Sequence, residues 1–164
     1  MRDDALLLLV EDSEDDALLL RRVFLEANIV NPIQVVSTGE EALEYLSGCG
    51  RYASRAEFPL PALVLLDLNM PGLDGFEVLK WLRRRPTFNS LRVVVLTAWD
   101  AVRDINRAYK LGANSFLTKP NRFEQVSQAI IGYWLWLSKA PEFSRPAPVC
   151  AKRRTRERES ALPK

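Results

Sequence analysis

The segment "LLLLVEDSEDDA", from Leu6 to Ala17, joins an unbroken apolar run to five acidic residues. Consecutive apolar residues cover both faces of a strand, which is typical of a parallel sheet with helices on either side. Adjacent carboxylates repel each other, so at the end of a buried strand they require either bulk water or a cation. The segment therefore predicts a buried strand that runs into a polar edge, followed by a helix that Ser13 caps.

The same alternation of strand and helix continues along the chain. Strands are predicted at residues 5–10, 33–36, 62–66, 92–96 and 115–118. Helices are predicted at residues 14–27, from Ser37 or Thr38 to 46, and at 76–84, 101–111 and 122–138. In the first helix either Leu18 or Leu20 faces inward with Ala17, Val23, Phe24 and Ala27. This order predicts an α/β fold with a parallel sheet and helices on both faces.

Composition excludes several classes of function. The 164 residues include no histidine, which rules out histidine-assisted nucleophiles, histidine metal ligands and a phosphohistidine on this chain. Cys49 and Cys150 form neither a disulfide framework nor a metal-binding spacing. The longest aliphatic run is too short to cross a membrane, and the N-terminus has no signal-peptide pattern, so a cytoplasmic protein is expected.

The last 24 residues differ from the rest. Residues 141–164 hold 7 Lys/Arg and 3 Asp/Glu, against 16 and 18 in residues 1–140. Their Pro, Arg and Glu content is typical of a disordered extension. We therefore expect one domain at 1–140 and a basic tail at 141–164. The run at 152–158 could contact an acidic partner or nucleic acid, but a solvated tail is the simpler interpretation, and the tail is too short for a helix-turn-helix domain.

Functional side chains follow the predicted strands. Glu11 and Asp12 follow the first strand, Asp67 the third, Thr97 the fourth and Lys119 the fifth. In a doubly wound sheet these positions meet at the carboxyl edge. Grouped carboxylates suit Mg²⁺, which takes oxygen ligands, and carboxylates, Mg²⁺ and a lysine together suit phosphoryl transfer. Asp67 is the central candidate for a carboxylate nucleophile.

Four motifs together resemble the receiver domains of two-component response regulators: "LLVEDSEDD", "LVLLDLNMPGLDG", "VVVLTAWD" and "LGANSFLTKP". The resemblance spans about residues 6–137. It implies a flavodoxin-like (βα)5 fold with strand order 2-1-3-4-5. It also implies that Asp67 is the phosphoacceptor and that Mg²⁺ or Mn²⁺ is bound by Glu11, Asp12, Asp67 and the backbone carbonyl of Asn69.

The resemblance also assigns residues to a conformational switch. Thr97 and Lys119 match the hydroxyl and the lysine that contact the phosphoryl group, and Phe116 matches the switch aromatic. Phe116 has no hydroxyl, so its switching must depend on packing alone. Pro120 matches the family's proline that follows the lysine, and the resemblance implies a cis peptide bond between Lys119 and Pro120.

Two residues after strand four lie at the rim of the expected site, Ala98 and Trp99. Trp99 either screens the aspartyl phosphate from water or rests on the surface of the fourth helix. Both interpretations stay open from the sequence.

The segments "RYASRAEFPLP" and "IIGYWLWLSKAP" resemble a narrower group, the small single-domain receivers associated with bacterial phytochromes. A sensor histidine kinase, including a bacterial phytochrome, is then the expected phosphodonor. The last helix carries more large apolar residues than one face can bury. Tyr133, Trp134 and Trp136 are therefore candidates for a homodimer interface, with packing inside the domain as the alternative.

Three other functions fit parts of the sequence. A haloacid-dehalogenase-type phosphatase also uses an aspartyl nucleophile, but it needs an acid two residues later, where this chain has Asn69. A flavin-binding carrier needs a Ser/Thr-rich loop after strand one, where this chain is acidic. A scaffold receiver that takes no phosphate would not need Asp67, Thr97 and Lys119 together. We therefore expect a signalling protein that catalyses only its own phosphorylation and dephosphorylation.

Overall fold

The fold is built on one sheet of five parallel strands in the order β2-β1-β3-β4-β5. The structure is a computed structural model, and it describes residues 5–97, 102–119 and Gly132. The strands are β1 (Leu7–Val10), β2 (Ile33–Val36), β3 (Leu63–Asp67), β4 (Arg92–Thr97) and β5 (Ser115–Thr118). The predicted fold class and strand order are confirmed.

Helices connect the strands. They are α1 (Glu14–Glu26), α2 (Gly39–Ser47), α3 (Gly75–Arg83) and α4 (Val102–Lys110). Short 3₁₀ turns lie at Gly50–Tyr52 and Pro86–Phe88, where only loops were predicted. Each predicted helix or strand in the described part is present, with ends that differ by no more than two residues. The last predicted helix and the basic tail lie outside the described residues, apart from Gly132.

Strand β1, which lies between β2 and β3, has a hydrophobic core on each face. Leu8 and Val10 belong to a larger core shared with α2 and α3, whereas Leu7 and Leu9 belong to a smaller core shared with α1. All four side chains are fully buried. Alternate residues of a strand point to opposite faces, so an unbroken apolar run is what a strand between two helical layers requires.

The structure settles two choices that the sequence left open. Leu20 is buried in α1, whereas Leu18 is 65% exposed. Ser13 caps α1 by accepting a hydrogen bond from the Asp16 amide at 3.2 Å, as predicted. Thr38, and not Ser37, caps α2 by accepting one from the Glu41 amide at 3.1 Å.

The end of α4 is formed as predicted by a glycine. Gly112 has φ of +95°, a conformation that glycine adopts without steric strain.

Among the residues that the structure describes, no helix has the length and hydropathy needed to span a membrane.

Candidate functional site

Three carboxylates meet at the carboxyl edge of the sheet. Glu11 and Asp12 follow β1, and Asp67 ends β3. The parallel register pairs Val10 with Leu66, which brings the ends of these two strands side by side. Glu11, Asp12 and Asp67 each offer a carboxylate oxygen within 4.8 Å of the others. The structure therefore brings together the acids that the sequence predicted would meet.

The three acids differ in their exposure to water. Glu11 is 2% exposed and Asp67 is 4% exposed, whereas Asp12 is exposed. Burial raises the pKa of Glu11 to about 7, because a charged carboxylate loses hydration there. The charge of Lys119 opposes this shift, and the charge of Asp67 adds to it. A cation beside Glu11 would therefore lower the free-energy cost of ionising this buried carboxyl group.

Lys119, directly after β5, enters the same group of acids. Its Nζ lies 2.6 Å from Asp67 Oδ2, 2.6 Å from Glu11 Oε2 and 2.9 Å from Asp16 Oδ2. It donates hydrogen bonds to Asp67 and Asp16, whereas Glu11 Oε2 is in ionic contact but accepts no well-aligned hydrogen bond. Burial lowers the pKa of Lys119, but its contacts with the acids outweigh this and hold the pKa above its usual value. The ammonium therefore stays charged.

The loop after Asp67 holds that side chain from the other side. The Asn69 amide donates a hydrogen bond to Asp67 Oδ1 at 3.0 Å. Gly75 begins α3 directly against this turn, and a Cβ at this position would lie 2.1 Å from the Asp67 carbonyl oxygen. Asp74 caps α3 by accepting a hydrogen bond from the Glu77 amide at 2.8 Å. Only a glycine allows α3 to start this close to Asp67.

The donor set fits a hard divalent cation. It consists of carboxylate oxygens from Glu11, Asp12 and Asp67, which are the ligands that Mg²⁺ and Mn²⁺ prefer. Glu11 Oε2 is buried and faces the Lys119 ammonium at 2.6 Å, so a metal that took this oxygen would compete with Lys119 for it. Asn69, the predicted source of a carbonyl ligand, lies in the adjoining turn and is exposed. The exposed Asp12 leaves the group open to water on one side.

The remaining predicted site residues divide into two sets. Phe116 lies in β5 beside Val95 of β4 and packs, half-buried, against the larger core. Thr97 ends β4 at the same edge of the sheet, and its side chain is not described. The others lie outside the described residues: Ala98, Trp99, Pro120, Tyr133, Trp134 and Trp136.

Comparison with known families decides the nature of this site. The family model for the response regulator receiver domain matches residues 7–131. The chain belongs to the response regulator receiver domain family. Membership of this family favours the receiver interpretation over the phosphatase and flavin-carrier alternatives. Receiver domains act in signalling together with histidine kinases.

The receiver is similar to two curated proteins over most of their lengths. It is 37% identical over 145 residues to the probable methanogenesis regulatory protein FilR2 of Methanothrix harundinacea, covering 85% of this chain and 89% of that protein. It is 35% identical over 132 residues to the response regulator Rcp1 of a Synechocystis species, covering 79% of this chain and 88% of that protein.

Solved structures confirm the narrower resemblance to phytochrome-associated receivers. The response regulator RPA3017, described in red light signalling of R. palustris, matches with a TM-score of 0.80 and 38% identity, over 85% of this chain and 99% of that one. The Mn²⁺-bound form of Rcp1 matches with a TM-score of 0.73 and 32% identity, over 85% of this chain and 99% of that one.

Two residues beside the site were not found from the sequence. Asp16 was interpreted as an acid suited to the positive end of α1, yet it is a partner of Lys119. Gly75 was interpreted as a turn residue, yet it lies against the Asp67 backbone. The sequence offered a partial signal for the glycine alone, because Asp74 before it is a residue type that caps helices.

Proposed function

We propose that this receiver accepts a phosphoryl group on Asp67 from a phosphohistidine of a partner sensor kinase. The observation that carries the proposal is the position of Asp67, which lies within the carboxylate group and 2.6 Å from the Lys119 ammonium. A nearly buried carboxylate beside a fixed positive charge suits a nucleophile whose product carries additional negative charge. The donor must be another molecule, because this chain has no histidine.

The transfer forms one bond and breaks another. An Asp67 carboxylate oxygen attacks the phosphorus, the P–O bond forms, and the P–N bond to the donor imidazole breaks. The imidazole keeps the electron pair of that bond and takes a proton from solvent water. In the unphosphorylated protein, Asp67 Oδ2 accepts a hydrogen bond from Lys119 Nζ and Oδ1 accepts one from the Asn69 amide. These two contacts fix the carboxylate, so its attack needs little reorganisation.

A divalent cation held by the carboxylate group would complete the charge balance. Glu11, Asp12 and Asp67 would hold Mg²⁺ or Mn²⁺, with the Asn69 carbonyl as the further expected ligand. Bound there, the cation would neutralise negative charge on the phosphoryl oxygens. Lys119 then pairs with a phosphoryl oxygen, and the Thr97 hydroxyl is the expected hydrogen-bond donor to another.

Phosphorylation would act by shifting a conformational equilibrium. Phe116 packs against the larger core from the edge strand β5, so movement of β4 and β5 toward the phosphoryl group would change its packing. A phosphoryl group that contacts one state better than the other shifts the population between them. The output would be a changed affinity for protein partners.

The partners follow from the relatives. The structural neighbours include response regulators of bacteriophytochromes, so a phytochrome-type histidine kinase is the proposed donor. The predicted last helix, with Tyr133, Trp134 and Trp136, is the proposed dimer interface. Sedimentation that gives a monomer at high concentration, with and without phosphodonor, would contradict the dimer.

The test is intact-mass spectrometry after incubation with phosphoramidate and Mg²⁺. Wild-type protein should gain the mass of one phosphoryl group, whereas Asp67→Asn should gain none and chelation of Mg²⁺ should prevent the gain. Asp74→Asn is the matched control, because this acid caps α3 outside the carboxylate group. If wild type gains no mass, or if Asp67→Asn gains as much, the protein is a receiver that takes no phosphate at this site.

A further inference from the structure

Lys119 contacts an acid that lies outside the carboxylate group of Glu11, Asp12 and Asp67. Two of its partners, Glu11 and Asp67, belong to the carboxylate group that fits a cation. The third, Asp16, accepts a hydrogen bond from Nζ at 2.9 Å but is not part of that group among the described residues. An ammonium has three protons to donate, so Lys119 can face all three acids at the same time.

Asp16 is held in place independently of Lys119. It lies in the first turn of α1, where its amide donates to the N-cap Ser13 at 3.2 Å. Its side chain is 40% exposed, whereas that of Lys119 is 14% exposed. Asp16 therefore approaches the ammonium from the solvent side, while Glu11 and Asp67 approach it from the interior.

A dication and an ammonium compete at this position. Lys119 Nζ lies 2.6 Å from Glu11 Oε2 and 2.6 Å from Asp67 Oδ2, and like charges repel strongly where water is excluded. When a cation takes oxygens from both acids, Lys119 must give up part of its contact with them. Asp16 is then the carboxylate that can still balance its charge.

We propose that Asp16 is a positioning residue that holds the Lys119 ammonium beside the site while a divalent cation occupies the carboxylate group. It acts through Lys119 and touches neither the cation nor the phosphoryl group. This inference rests on the proposed function only in taking Mg²⁺ as the cation. Removing Asp16 leaves Lys119 with Glu11 and Asp67 alone, so the ammonium competes harder with Mg²⁺.

The experiment is a double-mutant cycle on Mg²⁺ affinity, measured by isothermal titration calorimetry at constant ionic strength. Asp16→Asn should weaken Mg²⁺ binding roughly fivefold, within the range of coupling between contacting residues. Asp15→Asn removes the same charge one residue earlier, from an exposed side chain that does not contact Lys119, and should change the affinity less than about twofold. Asp16→Glu, which restores the charge, should recover part of the loss.

The decisive comparison uses a background without the ammonium. In Lys119→Gln protein, adding Asp16→Asn should have no more effect than adding Asp15→Asn, because there is no competing charge left to hold. Equal effects of Asp16→Asn in the wild-type and Lys119→Gln backgrounds would overturn the inference, as would equal effects of Asp16→Asn and Asp15→Asn in wild type. Wild-type protein that binds no Mg²⁺ would overturn the proposed cation site as well, so the two failures are distinguishable. Circular dichroism of each variant checks that the fold is kept.

Discussion

Replacing Glu11 with glutamine should stabilise the metal-free protein while removing its response to Mg²⁺. In the folded state the pKa of Glu11 is raised from 4.5 to about 7 by burial. Between these two values the folded protein binds more protons than the unfolded chain does. The contribution of Glu11 to stability is therefore fully present below pH 4.5 and is lost as the pH rises through 7.

The size of the effect follows from the shift. One pKa unit corresponds to about 1.4 kcal/mol, so the shift of Glu11 lowers the free energy of unfolding by about 3 kcal/mol at slightly alkaline pH. This figure applies because the side chain is only 1% exposed and solvent screens it little. Glutamine keeps the size of the side chain without its charge. Glu11→Gln should therefore be more stable than wild type by up to about 3 kcal/mol near pH 8 in chelator, and by about 1 kcal/mol near pH 5.

Urea denaturation in chelator and in excess Mg²⁺, near pH 5 and near pH 8, is the measurement. Mg²⁺ should raise the free energy of unfolding of wild type and leave that of Glu11→Gln almost unchanged, because a ligand stabilises only the state that binds it. Glu57→Gln, at an exposed acid, is the control and should show neither effect. If Glu11→Gln is less stable than wild type in chelator near pH 8, or if its advantage is the same at both pH values, the electrostatic reasoning is wrong.

Three further changes test the scaffold around the site. Tyr45 is fully buried and its hydroxyl donates to the Pro59 carbonyl at 2.8 Å, so Tyr45→Phe should cost about 1 kcal/mol at neutral pH in urea denaturation. Burial raises the pKa of Tyr45 from 10.0 to about 12. The contribution of Tyr45 to the free energy of unfolding is therefore present below pH 10 and is lost as the pH rises toward 12. The phenylalanine variant should lose less stability than wild type over that interval. Gly75→Ala should cost about 1–3 kcal/mol in urea denaturation and should weaken Mg²⁺ binding in isothermal titration calorimetry. The reason is that the new Cβ would overlap the Asp67 carbonyl and displace either α3 or the carboxylate. Unchanged stability and affinity would refute the close approach. Arg83→Lys should cost about 3 kcal/mol in thermal or urea unfolding, because a single ammonium cannot replace a guanidinium bonded to four acceptors at 2.9–3.1 Å, and a cost under about 1 kcal/mol would contradict that role.

Local pattern predicted most of the fold because each element carries its own signal. The apolar run before Glu11 predicts a strand buried on both faces, and Leu7 and Leu8 do face opposite cores. Ser13 precedes a helical periodicity and caps it as expected. Strand-end acids are also a local signal, since in a parallel sheet every strand ends at the same edge. The strand order, by contrast, came from the resemblance to receivers and not from periodicity.

The sequence by itself determined which elements form and which polar residues follow the strands, because strand and helix periodicity, caps and turns depend on neighbours a few residues apart. Only the tertiary structure decided that Leu20 and not Leu18 faces the core, that α3 starts against Asp67, and that Asp16 meets Lys119 across 103 positions of chain. The same holds for the raised pKa of Glu11, since the loss of water around a carboxylate depends on everything packed against it. Such contacts join distant segments, and no short-range pattern encodes the distance between them.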